Sequence, residues 1–446
     1  MNVATSAHED NEDISIVPSS SAPQVPPMQT FTRRSFIDTA VITAAGTASL
    51  SWSGGMTLHA EQLRRNGMAC ILLFMRGAPS QFETFDPKPG TKSGGPTQSI
   101  ETTVEGIRIA EGWEKVAAQM QDVSIIRSVT NGKEGNHDRA VYQLHTGYRQ
   151  TATVSHPNLG SIASAELGDA AFDLPHFVSI GNRSGFVDSG FLGAAHSPFL
   201  LMDPAKPPRN IALPPGVDAA RFTRRHELLA GLESDDARQG GETPVRDHQT
   251  LYDNAKRMVL SPRLKGFDLA QEPDAVRDRY GSNEFGQGCL LARRLVEHGV
   301  TFVEVESRGW DTHADNFNQV KKLAGSVDTA FAALVSDLKQ RGRLDKTLII
   351  WMGEFGRTPR INAKSGRDHH PLSFNVALAG GGIRGGQVIG ATDREGTSVE
   401  DRPVTVPDLF CTFCQALGID PRKENISPLG RPIQIVDGGA PVRELF

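Results

Sequence analysis

Thr347 to Met352 is an unbroken apolar run with β-branched residues, short for a helix and the right length for a strand buried on both faces. A strand with no polar face needs cover above and below it, so the run suits a buried parallel strand of a layered α/β sheet. It ends at Gly353 and Glu354, where the chain must turn. Ligands of open α/β sheets sit at the carboxyl ends of strands. A carboxylate there, followed by Asp368, His369 and His370 in a Gly-Arg-Asp-His-His-Pro segment, suits a metal or an acid/base site. Two ordinary readings stand beside this one: Glu354 pairs with Arg357 or Arg360, and the two histidines are loop residues.

The same layout recurs along the chain. Met68 to Met75 reads as a strand and runs into a polar loop, Arg76 to Pro87. Thr103 to Ile109 alternates like a short hairpin, a helix is expected near residues 111–121, and Val123 to Val129 is the next strand. Beyond it His137 opens a helix, where backbone N–H groups favour anions, and His145 and His156 follow within twenty residues. Phe177 to Ile180 and Val300 to Val305 are further strands; the latter leads to Asp311, His313 and Asp315. Asp311 and His313 make an oxygen/nitrogen half-site for zinc, manganese or a similar divalent ion, or else an aspartate caps the following helix beside a histidine. That helix spans about 320–340. Phe374 to Ala379 is a buried strand ending in the glycine loop Gly380 to Gly386, a weak phosphate signal with no Lys-Ser/Thr behind it. Residues 199–284, richer in Arg, Asp and Pro, read as a helical insertion covering the sheet.

Residues 1–31 are Ser-, Pro- and Ala-rich and read as a disordered leader. Arg33 and Arg34 precede a short, mildly apolar segment, the layout of a twin-arginine export signal over residues 32–60, with cleavage near Leu58 to Ala60. This implies a periplasmic or otherwise exported protein. No later segment is long and apolar enough to cross a bilayer. The net charge of -5 is unclustered, which excludes a basic nucleic-acid groove. Four scattered cysteines make no disulfide framework; Cys411 and Cys414 are spaced to pack on one helix face.

Taken together, Arg76 to Gln81, Asn136 to Ala140, Trp310 to His313, Gly353 to Pro359 and Gly380 to Gly386 resemble the family called domain of unknown function 1501, over residues 67–435. That family resembles a branch of the alkaline phosphatase superfamily, beside sulfatases. The resemblance implies a doubly wound, mostly parallel sheet with helices on both faces, and metal ions at the strand ends. Carried over, Asp311, His313 and either His369 or His370 match one metal site. The second is altered: Arg76 stands where an aspartate is usual, and Glu354-Phe355 where an Asp-His pair is usual. A guanidinium beside a dication costs several kcal/mol unless an anion lies between them. Glu83 or Asp86 is a substitute ligand by proximity. No Ser, Thr or Cys occupies the nucleophile's place before the 137–146 helix.

The resemblance thus implies a metal-dependent hydrolase of phosphate or sulfate esters, its partners an anionic ester or a sulfated glycan. One divalent ion (Zn, Mn, Ca or Mg) is expected on Asp311, His313 and His369 or His370. Glu354 is a further ligand or orients a histidine, His137 is general base or nucleophile, and Arg76 and Arg139 hold the anion. The alternative is a noncatalytic binding module of the same fold for an anionic glycan or an exported assembly.

Overall fold

The strand Ala69–Arg76 (β1) shows why the sheet is covered on both sides. Ala69, Ile71, Leu73 and Met75 pack into one core, and Cys70, Leu72 and Phe74 into another. With about 1.5–3 kcal/mol gained for each large apolar side chain buried, neither face can be left in water. The computed structural model describes residues 67–182, 188–236 and 242–446.

Eight more strands join β1: Val123–Thr130 (β2), Phe177–Ile180 (β3), Phe199–Leu201 (β4), Phe302–Arg308 (β5), Thr347–Met352 (β6), Phe374–Ala379 (β7), Val388–Ile389 (β8) and Val404–Thr405 (β9). Their order is β8-β2-β7-β6-β1-β5-β3-β4, with β9 also paired to β2. β7 is antiparallel to both β2 and β6; the other pairings are parallel. The doubly wound, mostly parallel sheet expected from the sequence is the one observed.

The helices are Glu114–Ala118 (α1), His137–Thr146 (α2), Leu159–Leu167 (α3), Ala219–Asp236 (α4), Glu242–Val259 (α5), Asp274–Tyr280 (α6), Glu284–Glu297 (α7), Asn316–Gln340 (α8) and Val406–Leu417 (α9). The apolar faces of α1, α7 and α8 fill one core, and those of α2, α3 and α9 the other. Cys411 and Cys414 are buried in the second core as free thiols, so their spacing serves packing. None of the described helices is long and apolar enough to cross a membrane.

Two expectations need correction. The 199–284 region is not all helix: Phe199–Leu201 adds a parallel edge strand to β3, with Phe199 packed against Phe267, before α4, α5 and α6 begin. The glycine loop Gly380 to Gly386 lies at the amino edge of the sheet, because β7 runs backwards and delivers it against the start of β6 at Thr347. The leader and the twin-arginine segment lie outside the described residues.

Candidate metal centre

Four strands, β1, β2, β5 and β6, deliver chemistry to one rim of the sheet. β1 ends at Arg76 and turns at Gly77, whose φ is 110°. A Cβ there would sit 2.5 Å from the backbone nitrogen of Asp311, so only glycine lets the two strand ends meet. After β2 the chain enters α2, capped by Asn136, whose side chain accepts from the Arg139 N–H; His137 is the first helical residue. β5 is followed by the buried Trp310 and then by Asp311 and His313. β6 is followed by Glu354, fully buried.

The last component is a two-stranded ribbon, Gly356–Ile361 with Arg367–His370, in which His369 lies opposite Arg357. Strand alternation turns successive side chains to opposite faces, so His369 reaches the rim and His370 does not. The Nε2 of His370 instead lies 3.0 Å from the Thr397 carbonyl oxygen. Of the two candidate histidines, His369 is the one at the cluster.

Each of three imidazoles is held from behind. His137 donates from Nδ1 to Glu354 Oε1 at 2.6 Å, His313 from Nδ1 to Asp368 Oδ1 at 3.0 Å, and His369 from Nδ1 to the Gly135 carbonyl at 2.8 Å. A carboxylate or carbonyl only accepts, so with a cation on the Nε2 side these bonds hold each ring in its Nδ1–H tautomer and turn Nε2 to the rim as an acceptor. All three Nε2 atoms then point at one place. His369 Nε2 lies 3.0 Å from His137 Nε2, 2.9 Å from His313 Nε2 and 3.3 Å from Asp311 Oδ1. Asp311 Oδ1 is also 3.3 Å from His137 Nε2 and 3.1 Å from His313 Nε2.

Four acceptor atoms so close repel one another unless they share positive charge. Ligand atoms about 2.0–2.1 Å from a tetrahedral zinc sit about 3.3 Å apart, close to the separations found. Backing of a ligating imidazole by a carboxylate or carbonyl is likewise what metal sites use to orient ligands. The donor set therefore fits a divalent metal: His137, Asp311 and His369 group as a metal-capable cluster by mutual distance, and His313, outside that group, brings its Nε2 to 2.9 Å from His369 Nε2 and 3.1 Å from Asp311 Oδ1.

Arg357 organises the centre from below. Its guanidinium is fully buried and donates to the carbonyls of Ala78 (2.9 Å) and Gly77 and to Asp311 Oδ1 (2.6 Å). Burial raises the Asp311 pKa, but the Arg357 hydrogen bond and charge outweigh it, with help from His137 and His313, and bring it to about 2. Burial disfavours a charged His137, yet its Glu354 bond and the nearby carboxylates lift its pKa above the ordinary value. Burial keeps His369 below its ordinary value. Glu354, besides orienting His137, accepts the backbone N–H groups of Gly77 (3.0 Å) and Ala78 (3.2 Å). It pairs with neither Arg357 nor Arg360 in the way the ordinary reading has it.

Beside the cluster is a cleft of about 390 Å³ lined by Arg76, Gly77, His137, Arg308, Gly309, Asp311 and Glu354. Arg76 and Arg308 end adjacent parallel strands in register. None of these lining residues carries a hydroxyl or thiol.

A family model described as "Protein of unknown function (DUF1501)" matches residues 68–446. The chain belongs to that family. Among solved structures, a sulfatase from Pseudoalteromonas sp. is similar over 83% of this chain and 71% of its own, at 12% identity and a TM-score of 0.35. The alkaline phosphatase of the Antarctic bacterium TAB5 is similar over 74% of this chain and 96% of its own, at 13% identity and a TM-score of 0.31. The zinc complex of the C-terminal periplasmic domain of EptC from Escherichia coli is similar over 84% and 90%, at 9% identity and a TM-score of 0.35. These likenesses are too distant to assign chemistry to the DUF1501 chain. No curated protein sequence matches it.

The site residues expected in this DUF1501 chain divide cleanly. Asp311, His313, His369, His137 and Glu354 come together, and Arg76 lines their cleft. Arg139 does not: two positions after His137, it leaves the other side of α2 and is exposed. Glu83 and Asp86 are not substitute ligands. Glu83 is buried against Arg367 and Asn316, and Asp86 against Thr392 and Lys88. His145 turns under the sheet to Glu304, and His156 stacks on Tyr148. Sequence reasoning missed Arg308 and gave Arg357 the wrong partner; Asp368 was visible only as the neighbour of His369. A strand-end arginine has no spacing signature, and the Arg357 to Asp311 bond joins residues on separate strands.

Proposed function

We propose that this chain is a hydrolase of phosphate or sulfate esters that works with a single divalent metal, zinc being the best match. What supports this is the convergence of three Nε2 atoms and Asp311 Oδ1 at the carboxyl rim, each imidazole braced from behind. An imidazole-rich donor set suits zinc better than magnesium or calcium, which prefer all-oxygen surroundings. Bound there, such an ion polarises an ester oxygen and lowers the pKa of a water.

The chain's own residues do the rest. His137, His313, His369 and Asp311 hold the ion, which moves His137 from the base or nucleophile role to a ligand role. Arg357 keeps Asp311 ionised, and Glu354 keeps the His137 lone pair turned to the rim. Arg76 and Arg308 hold the anionic group from neighbouring strand ends, planar guanidinium groups being matched to oxyanions. With no side-chain hydroxyl among the described residues that line the cleft, water is the attacking group.

The test is metal analysis of protein purified without chelator, followed by a panel of aryl phosphate and aryl sulfate esters. About one zinc per chain, and turnover that chelator abolishes and zinc restores, is the expected result. Protein that takes up no metal overturns the reading. A metal-loaded protein silent on the whole panel that still binds a sulfated polysaccharide tightly favours the binding module instead.

A further inference from the structure

α2 separates two openings. On one side His137 faces the candidate metal centre; on the other a groove of about 520 Å³ is lined by Lys133, Glu134, Arg139, Gln143, Arg149 and the Gln150–Ala152 segment. Three cations stand there against one carboxylate. Among the described residues, Lys133, Arg139 and Arg149 make no ion pair, while Glu134 accepts the Asn136 backbone N–H at 3.1 Å and so is turned toward the helix start. The Arg149 guanidinium lies over Gly132, where a Cβ would come within 3.0 Å of its Nη2, so the groove wall is closely fitted at that point.

The floor supplies an independent observation. Gln143 is only 7% exposed, lines the groove one turn below Arg139, and its Oε1 has no hydrogen-bond partner. A buried amide oxygen without a donor costs about as much as a lost hydrogen bond. A ligand that pairs with the Gln143 amide must bring a hydrogen-bonding group, the amide turning toward the groove to meet it, and one that suits the three cations must bring negative charge. A hydroxyl-bearing, anionically substituted sugar has both. Arg139 and His137 leave opposite sides of α2, but both stand in its first turn, so an extended ligand that crosses the amino end of the helix reaches both.

We propose that this groove is a second anion subsite, seating a neighbouring sulfate- or phosphate-bearing sugar of the same substrate whose ester lies at the metal centre. It rests on the hydrolase reading for the word substrate, and it narrows that substrate from any anionic ester to a polyanionic saccharide. Arg139, expected from the sequence to hold the reacting anion, holds its neighbour instead.

The experiment is calorimetric binding of a size-defined chondroitin sulfate hexasaccharide, its desulfated counterpart and inorganic sulfate. It is run on the parent chain, on Arg139→Ala/Arg149→Ala, and on His369→Ala, which keeps the groove while removing a metal holder. The sulfated hexasaccharide is expected to bind the parent about tenfold or more tighter than the desulfated one, the scale of losing charge-assisted contacts. The double arginine variant, with an unchanged melting temperature, is expected to lose that preference, and Gln143→Leu to weaken hexasaccharide but not inorganic sulfate. Equal binding by parent and double variant, or no preference for the sulfated chain, overturns the subsite. If His369→Ala retains the preference while the ester panel is silent on the parent, the groove stands and the hydrolase reading falls.

Discussion

Two dense groups of ionisable side chains sit in this molecule, and they differ in kind. Behind the sheet, where α6, α7 and α8 meet, the fully buried Arg293 contacts Glu272 at 2.7 Å, Glu297 at 2.6 Å and Asp337 at 3.0 Å. Its Nε and Nη2 contacts are ionic rather than well-aligned hydrogen bonds. Arg294 also reaches Glu272, Arg341 reaches Asp337, and the Tyr280 hydroxyl donates to Asp337. Cations and carboxylates there are matched, and the group closes on itself. At the rim, three imidazoles spend their only protons on outer acceptors and turn four acceptor atoms toward one another. A self-satisfied charge cluster holds a fold together; one built of converging acceptors, with Arg357 reaching only Asp311 among them, is suited to take a cation from outside.

The comparison breaks most easily at Arg293. Arg293→Ala leaves Glu272 and Asp337 buried without their main cation and is expected to cost about 3–5 kcal/mol in urea unfolding. His369→Ala, measured with chelator present, is expected to stay within about 1 kcal/mol of the parent, since it relieves crowding among acceptors. A large loss from His369→Ala in metal-free protein would place the rim with the structural cluster.

Metal addition is the next largest effect. At about a hundred times its dissociation constant, zinc is expected to stabilise the parent by about 2.7 kcal/mol, with most of that gain missing in His369→Ala; identical melting shifts in the two proteins would refute the shared site. Asp368→Asn sharpens the point. The residue is exposed and touches the centre only through His313, so the expected change is a 10–100-fold weaker zinc affinity with unchanged folding, read by competition with a chromophoric chelator.

The smallest effect is on pH. Burial raises the Glu272 pKa, but Arg293 and Arg294 outweigh it and leave it below the ordinary carboxylate value. A depressed folded-state pKa contributes stability above the unfolded value of about 4.3, and that contribution is lost as pH falls through the folded value. Glu272→Gln is therefore expected to flatten the acid limb of stability below about pH 4.5 while lowering stability at neutral pH. An unchanged acid limb would mean the cluster contributes little to acid unfolding.

Much of the frame was legible before folding. Strands 177–180, 347–352 and 374–379 have the bounds expected of them, because runs apolar on both faces admit few other placements. His137, Asp311, His313 and Glu354 were legible as rim residues for a related reason: each lies in the segment that leaves the carboxyl end of a strand, and parallel strands bring those ends to one edge. The choice of His369 over His370 was not legible, since it depends on the register of a ribbon whose strands pair only in three dimensions.

By itself the sequence determined the layering of this protein and which residues arrive at the rim, since both follow from local periodicity and from which residue comes next after a strand. Only the tertiary structure decided partners: that Arg357 belongs to Asp311, Glu354 to His137, Arg308 beside Arg76, and Arg139 to a different groove. Such partners are chosen by distance and direction between side chains hundreds of residues apart, and no spacing along a chain encodes either.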